Sequence, residues 1–470
     1  RNQYGLNFTG PVRIPKLYNG KNRTFFSFSW DRLDSITGKT QRGITPTPEY
    51  LQGDFSKATN AQGRPLQLID PLAANAPFAR NQIPVSRFDP VAVKLAALYP
   101  KPNLAGGGVN NFISQGNANN NNNAFNIRGD HRFSDYDQLS MAVTWTQNDS
   151  LDPVADSRSP LPIFGSVNQP LSILSYLRYI KTISPSMVLE LNSSFSRKTN
   201  NQRWPYLNDR DWSQLGFLGG ITNPIAAGPP ELNVSGYIIM GPAYDLPKLW
   251  VYNNYQHKGS LTWLKGKHTV KTGFEMRYSL NKDELSQTGG GTFTFNDRGT
   301  ANGMAALLLG WTSSAGQNRP DLLEARTDYY GAYVQDDWKI LPNLTLNLGL
   351  RWEVDTPRWE RIDNRQSGFN GTAINPVSGT PGIVTFSGRD GLGKYAHPFD
   401  KNNYAPRFGF AWKPMNRTVV RGGYGINYLG IYFGAVVNTL SQGFGANYSF
   451  SSPDGGLTPA FLFRDGLPTG

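Results

Sequence analysis

The chain has 470 residues, no Cys, and a combined Gly (50) and Pro (33) content of about 18%, where ~12% is usual; that argues against a helical protein and excludes disulfides, Cys-held zinc and thiol catalysis. Its longest apolar run, Met304 to Leu309, falls far short of the ~20 residues a spanning helix needs. The net charge of +12 comes from scattered Lys and Arg with no basic run and no nucleic-acid motif, so anionic lipid headgroups or a basic lumen account for it and no nucleic-acid partner is expected.

Taken along the chain, extended stretches alternate with turns. A first hairpin is expected from residues 4–12 through 16–21 to 23–30. Five more surround short turns at 134–137, 183–186, 265–267, 341–343 and 414–417, all rich in the Asp, Ser, Pro, Gly, Lys and Asn that permit tight reversal. The strands that leave these turns alternate in polarity. Leu139, Met141, Val143 and Trp145 share one parity, and Met187, Leu189, Leu191 and Phe195 another run opposed to Glu190, Asn192 and Ser194. Val270, Phe274, Met276 and Tyr278 oppose Lys271, Gly273, Glu275 and Arg277, while Val420 and Tyr424 oppose Arg421 and Gly423. The clearest case is Leu344–Asp355, where Leu346, Leu348, Leu350, Trp352 and Val354 face away from Asn347, Gly349, Arg351, Glu353 and Asp355. At 12 residues it exceeds the usual strand of 5–6 and matches the ~9–11 tilted residues that cross a bilayer.

Between hairpins lie long segments at 31–125, 148–172, 198–250, 281–327 and 356–403, rich in Gly, Pro, Asn and Ser, including five consecutive Asn at 119–123. Short turns at one rim, long loops at the other and strands ending in Trp30, Trp145, Trp263, Trp338, Trp352 or Tyr428 predict an all-β transmembrane antiparallel meander barrel with long extracellular loops and short periplasmic turns. A soluble propeller or sandwich has shorter strands and no such loop asymmetry. One short helix is expected near 89–99 inside the 31–125 loop, with Asp89 as cap, Pro90 at its first position and Pro100 as its stop.

Four pieces carry a family resemblance. IPVSRFDPVAVKLAALYPKPN at 83–103, with GDFS at 53–56, resembles the long loop of Oar-like TonB-dependent outer-membrane transporters. NGKNRTFFSFSW at 19–30, HTVKTGFEMRY at 268–278 and DYYGAYVQDDWKILPNLTLNLGLRWE at 328–353 are similar to other parts of such barrels. The resemblance implies the outer membrane of a Gram-negative bacterium, a 22-stranded barrel filled by an N-terminal plug, and energy delivered by a TonB complex that grips the plug side. No piece here matches a plug, a TonB box or a regulatory-like domain. With about 13 strands, opening on Arg1, the chain is expected to be part of a larger barrel whose first and last strands show unpaired edges.

Catalytic and metal chemistry finds little footing. His131, His257, His268 and His397 lack ligand spacing, so no metal or other cofactor is expected. Asp336 and Asp337 are adjacent on a strand and therefore face opposite sides; parity sets Asp336 beside Val334 and Trp338, where a bulge or the headgroup zone must absorb it. The glycines at 289–291 and at 422, 423 and 425 lack the Lys-Ser/Thr of a phosphate loop. What remains are lumen candidates, Glu190, Lys271, Glu275, Arg277, Asn347, Arg351, Glu353 and Arg421, and loop aromatics suited to a ligand, Trp204, Tyr206, Trp212, Tyr237 and Trp250. The function expected is TonB-dependent transport of a bulky carbohydrate, peptide or protein, with outer-membrane lipid, the TonB complex and an unknown substrate as partners. The alternative is a surface or adhesion protein acting through its loops. An enzyme is not expected, for want of any acid, base or nucleophile set.

Overall fold

Alternating polarity produces strands here because each residue pair buries one side chain against an apolar neighbour and turns the next to polar surroundings. A computed structural model describes residues 1–468 except 61, 105–109, 155–157, 206–215, 217–228, 242–245, 286–289, 320–322, 363, 390–391, 396–398 and 430–443. Among the described residues, twelve strands follow one another: Asn2–Pro11, Thr24–Gly43, Phe112–Arg132, Asp137–Asp152, Ser166–Ser184, Met187–Arg203, Lys248–Lys265, His268–Leu285, Leu323–Leu341, Leu344–Asp355, Asn403–Met415 and Thr418–Gly425. Each pairs antiparallel with its neighbour in sequence, and the short strand Trp359–Glu360 adds a thirteenth member against Leu323–Leu341. Among the described residues the sheet does not close on itself: Asn2–Pro11 and Thr418–Gly425 each have one neighbour there.

The five short turns fall where the sequence places them, for example Lys265 to His268 and Leu341 to Leu344. Loops are shorter than expected because strands run on. Thr24–Gly43 and Phe112–Arg132 have 20 and 21 residues, so the segment read as a loop over 31–125 narrows to 44–111. The run of Asn at 119–123 lies within a strand, with Asn122 opposite Leu33 and Asn148. Above the membrane a ladder needs only backbone hydrogen bonds, and both faces meet water, so polar residues extend strands without any alternation to reveal it.

The apolar parity is exposed, as a lipid-directed face must be. Val143, Met276, Leu348 and Leu350 are 37–46% exposed, and Phe408, Trp412 and Tyr424 share their condition. The buried core lies elsewhere, at the long-loop end, and is assembled from several loops. There the run Met304–Leu309, the longest apolar stretch in the chain, is wholly buried in and just after the helix Gly303–Leu308. It packs with Val91, Ala92 and Leu95 of the helix Pro90–Ala96 and with Phe293, Phe295 and Phe463. A small sheet joins Glu231–Val234, Thr292–Phe295, Ser314–Arg319 and Ala446–Ser451. Loops hundreds of residues apart in sequence thus fold as one module.

Candidate functional site

Register decides which polar side chains meet. Glu275 lies opposite Lys258 and Gly331, Arg277 opposite Gln256 and Tyr329, and Arg351 opposite Tyr333. Four of the expected lumen residues therefore converge. Arg351 Nε donates to Glu353 Oε2 at 2.8 Å and its Nη2 reaches Glu275 Oε2 at 3.4 Å and the Tyr329 hydroxyl. Tyr329 donates to Glu353 Oε2 at 2.9 Å, and the Arg277 guanidinium stacks over the Tyr329 ring at 4.5 Å. Glu275 also accepts from Gln256 Nε2 at 2.7 Å, with Lys258 Nζ and Arg277 Nη2 each 3.7 Å away. Three cations around Glu275, with Arg351 forked between Glu275 and Glu353, give a half-buried network in which each charged group lies against one of opposite sign.

The other lumen candidates stand apart from it. Glu190 accepts from Arg178 Nε at 2.9 Å and Asn192 Nδ2 at 3.0 Å. Asn347 donates to Asp337. Lys271 faces Thr262 and Gln335, Arg421 faces Ala411, and neither makes an ion pair among the described residues. Tyr329, Gln256 and Lys258 were not singled out from the sequence. The signal for Tyr329 was its parity with Tyr333 and Asp337, but only register ties it to Arg351.

Asp336, the misfit of the parity reading, is matched by His268: Nδ1 and Oδ2 lie 2.6 Å apart, and Trp338 stacks on the imidazole at 5.2 Å. The pair sits just above the short turn at 266–267, where an aromatic girdle and headgroups meet. His131 bonds Thr24 Oγ1 at 2.7 Å, His257 bonds Ser193, and His397 lies outside the described residues. No group of three potential metal ligands occurs among the described residues.

The loop aromatics divide. Trp204 is 4% exposed, and Tyr237 packs on the module core, where burial pushes its hydroxyl's pKa up. Trp250 is half-buried beneath Lys248, whose Nζ is 5.2 Å from its ring centre. Tyr206 and Trp212 lie outside the described residues. The residue that ties the module together is Asp89, fully buried. Its Oδ1 accepts from Val91 and Ala92 N–H at 3.0 Å, capping Pro90–Ala96, and its Oδ2 accepts from Arg464 N–H at 2.8 Å. Its own N–H donates to Leu308 O at 2.7 Å, and Gly310, at φ +67°, leaves the room that a Cβ 2.2 Å from Oδ2 would take. One residue, through its carboxylate and its backbone N–H, thus joins three loops. The sequence marks it only as a helix cap.

A sequential antiparallel sheet with one apolar face, one charged face, short turns at one end and long loops at the other defines the wall of an outer-membrane β-barrel. The family model for an outer membrane beta barrel domain matches residues 1–470, and the chain belongs to that family and to the cell outer membrane. Its fold is similar to that of the outer membrane transporter YddB from Escherichia coli, with 11% identity and a TM-score of 0.43 over 90% of this chain and 38% of that one. It is also similar to the ferric yersiniabactin uptake receptor FyuA from Yersinia pestis (8% identity, TM-score 0.36, 88% of this chain and 42% of that) and to the ferripyoverdine receptor of Pseudomonas aeruginosa (8%, 0.40, 90% and 40%). The chain spans about two fifths of the length of these structures. No curated protein matches it.

Proposed function

We propose that this protein forms part of a TonB-dependent outer-membrane transporter for a bulky carbohydrate, peptide or protein. The observation that carries this reading is the charged network of Glu275, Arg277, Tyr329, Arg351 and Glu353 on the polar face. A lumen that holds a plug and passes cargo needs a fixed polar lining, and this network is such a lining. Membership of the barrel family and the similarity of 83–103, 268–278 and 328–353 to Oar-like transporters support it. Within this reading Lys271 and Arg421, outside any ion pair among the described residues, are the wall cations open to plug or cargo. Trp250 and the segment around Tyr206 and Trp212 meet cargo first, while Trp204 and Tyr237 hold the loops in shape. The reading requires no cofactor and no catalytic step.

The test is accumulation of fluorescently labelled oligosaccharides and peptides by the source bacterium, with and without the gene for this protein, before and after an uncoupler. Gene-dependent uptake that collapses with the proton-motive force is expected. Gene-dependent uptake that survives the uncoupler contradicts TonB coupling. The alternative of a surface protein acting through its loops is favoured by one observation, the self-contained core of the loop module, and gains if adhesion rather than uptake depends on the gene.

A further inference from the structure

The apolar alternation on the membrane face is broken within Met187–Arg203. There the series Leu189, Leu191, Phe195 is interrupted by Ser193, which lies opposite Leu177 on one side and His257 on the other. His257 in turn faces Met276. Cross-strand partners share a face, so Ser193 and His257 are set into the lipid-directed wall. Ser193 Oγ lies 3.0 Å from His257 Nδ1. On the same face Ser175 stands between Val143 and Phe195. With short side chains at 175 and 193, the wall is hollowed by about 300 Å³, rimmed by Ile127, Met141, Val143, Leu177, Phe195 and Tyr255.

Depth follows from the strand. Trp263, beside the short turn, and Tyr255 are eight residues apart on one face of Lys248–Lys265. At ~3.3 Å per residue and a tilt of ~40° they span about 20 Å of membrane, near the ~25 Å apolar band that girdles bracket. His257 is the next outward residue below Tyr255, so it sits about 5 Å beneath the upper girdle. The longer loops of such barrels face outward, which puts the hollow in the outer half of the bilayer. A polar group there without a partner is costly, and His257 Nε2 has none among the described residues.

We infer that this hollow binds one acyl chain of the outer leaflet that carries a hydroxyl a few carbons below its ester. The hydroxyl bonds His257, already held by Ser193, and the chain fills the space over Ser175. Ester oxygens stay at the headgroup boundary, above His257, and only accept; a chain hydroxyl lies at the right depth and both donates and accepts, so it matches either imidazole tautomer. The residues that line the hollow lie on the lipid-directed side of the sheet, so an acyl chain is the occupant that the membrane offers it. The inference stands independently of transport.

The test uses the full-length protein purified from its own membrane and reconstituted in phosphatidylethanolamine vesicles that hold equal small fractions of two probes, a 3-hydroxymyristoyl glycolipid and its deoxy myristoyl counterpart. Native mass spectrometry reads which remains bound. The wild type is expected to retain the hydroxylated probe about tenfold over the other, the worth of one to two hydrogen bonds. His257→Leu, which makes the wall more apolar and preserves folding, is expected to abolish the preference. Ser193→Leu, which fills the hollow, is expected to release both probes. Equal retention by the wild type, an unchanged preference in His257→Leu, or a dimer that Ser193→Leu dissolves would each overturn the inference.

Discussion

Leu348 and Asn347 are adjacent in sequence and belong to opposite surfaces: Leu348 is 38% exposed on the apolar face, and Asn347 donates to Asp337 on the polar one. In the full-length protein Leu348→Arg is expected to cost about 2–4 kcal/mol, the cost of a cation near the bilayer midplane. Asn347→Arg keeps a donor for Asp337 and is expected to leave folding nearly unchanged, with urea titration in lipid vesicles as the measurement. Arg351→Ala deprives Glu353 and Tyr329 of their shared donor and should cost about 1–2 kcal/mol by the same titration. Arg351→Lys should not restore it, since an ammonium lacks the fork that reaches Glu353 and Glu275 together. At this scale parity alone separated Glu275, Arg277, Arg351 and Glu353 from Met276, Leu348 and Leu350. What parity leaves out is partnership, because the meeting of Arg351 with Tyr329 depends on a register that two separate strands settle between them.

Individual elements were legible where a local signal suffices. Asp89, Pro90 and Pro100 bracket a helix in the sequence, and the structure holds Pro90–Ala96 with Asp89 at its cap. The hairpin turns announce themselves through Asn, Gly, Pro and Lys. By contrast, the strand around 119–123 was hidden, because Asn neither favours strands nor alternates. Likewise the run Met304–Leu309 shows apolar content without showing that Phe463, far along the chain, packs on the same core as Phe293 and Phe295 at 5.0 and 5.5 Å between rings. Asp89 is where these elements join. Asp89→Ala is expected to cost the module about 3 kcal/mol, from a lost cap and stranded buried N–H groups. Hydrogen exchange should then speed up at 90–96, 303–310 and 463–465 and remain unchanged in Leu344–Asp355. Uniform acceleration across the barrel strands would contradict a separately folding module.

For the whole molecule, sequence order equals spatial order along the twelve successive strands of the large sheet, with only the short Trp359–Glu360 off that path among the described residues, which is why a single chain of hairpins was enough to read it. The loop module obeys no such rule: its sheet pairs Glu231–Val234 in parallel with Thr292–Phe295, and Ser314–Arg319 with Ala446–Ser451. Removing 231–241 takes Leu232, Val234, Ile238 and Met240 from the core. That deletion should make 44–111 sensitive to added protease on whole cells while the barrel keeps its heat-modifiable mobility on gels. Strands that cross the outer membrane with one parity in lipid and the other in the lumen present alternate residues to water. Because the chain has no Cys, single cysteines placed in turn at 344–355 and challenged in whole outer membranes with a water-soluble maleimide and a lipid-phase maleimide test this most directly. Positions 347, 349, 351 and 353 are expected to react with the water-soluble reagent, and 346, 348 and 350 only with the lipid-phase one. Equal labelling of both parities by the water-soluble reagent, or a repeat of three to four residues, would contradict that crossing.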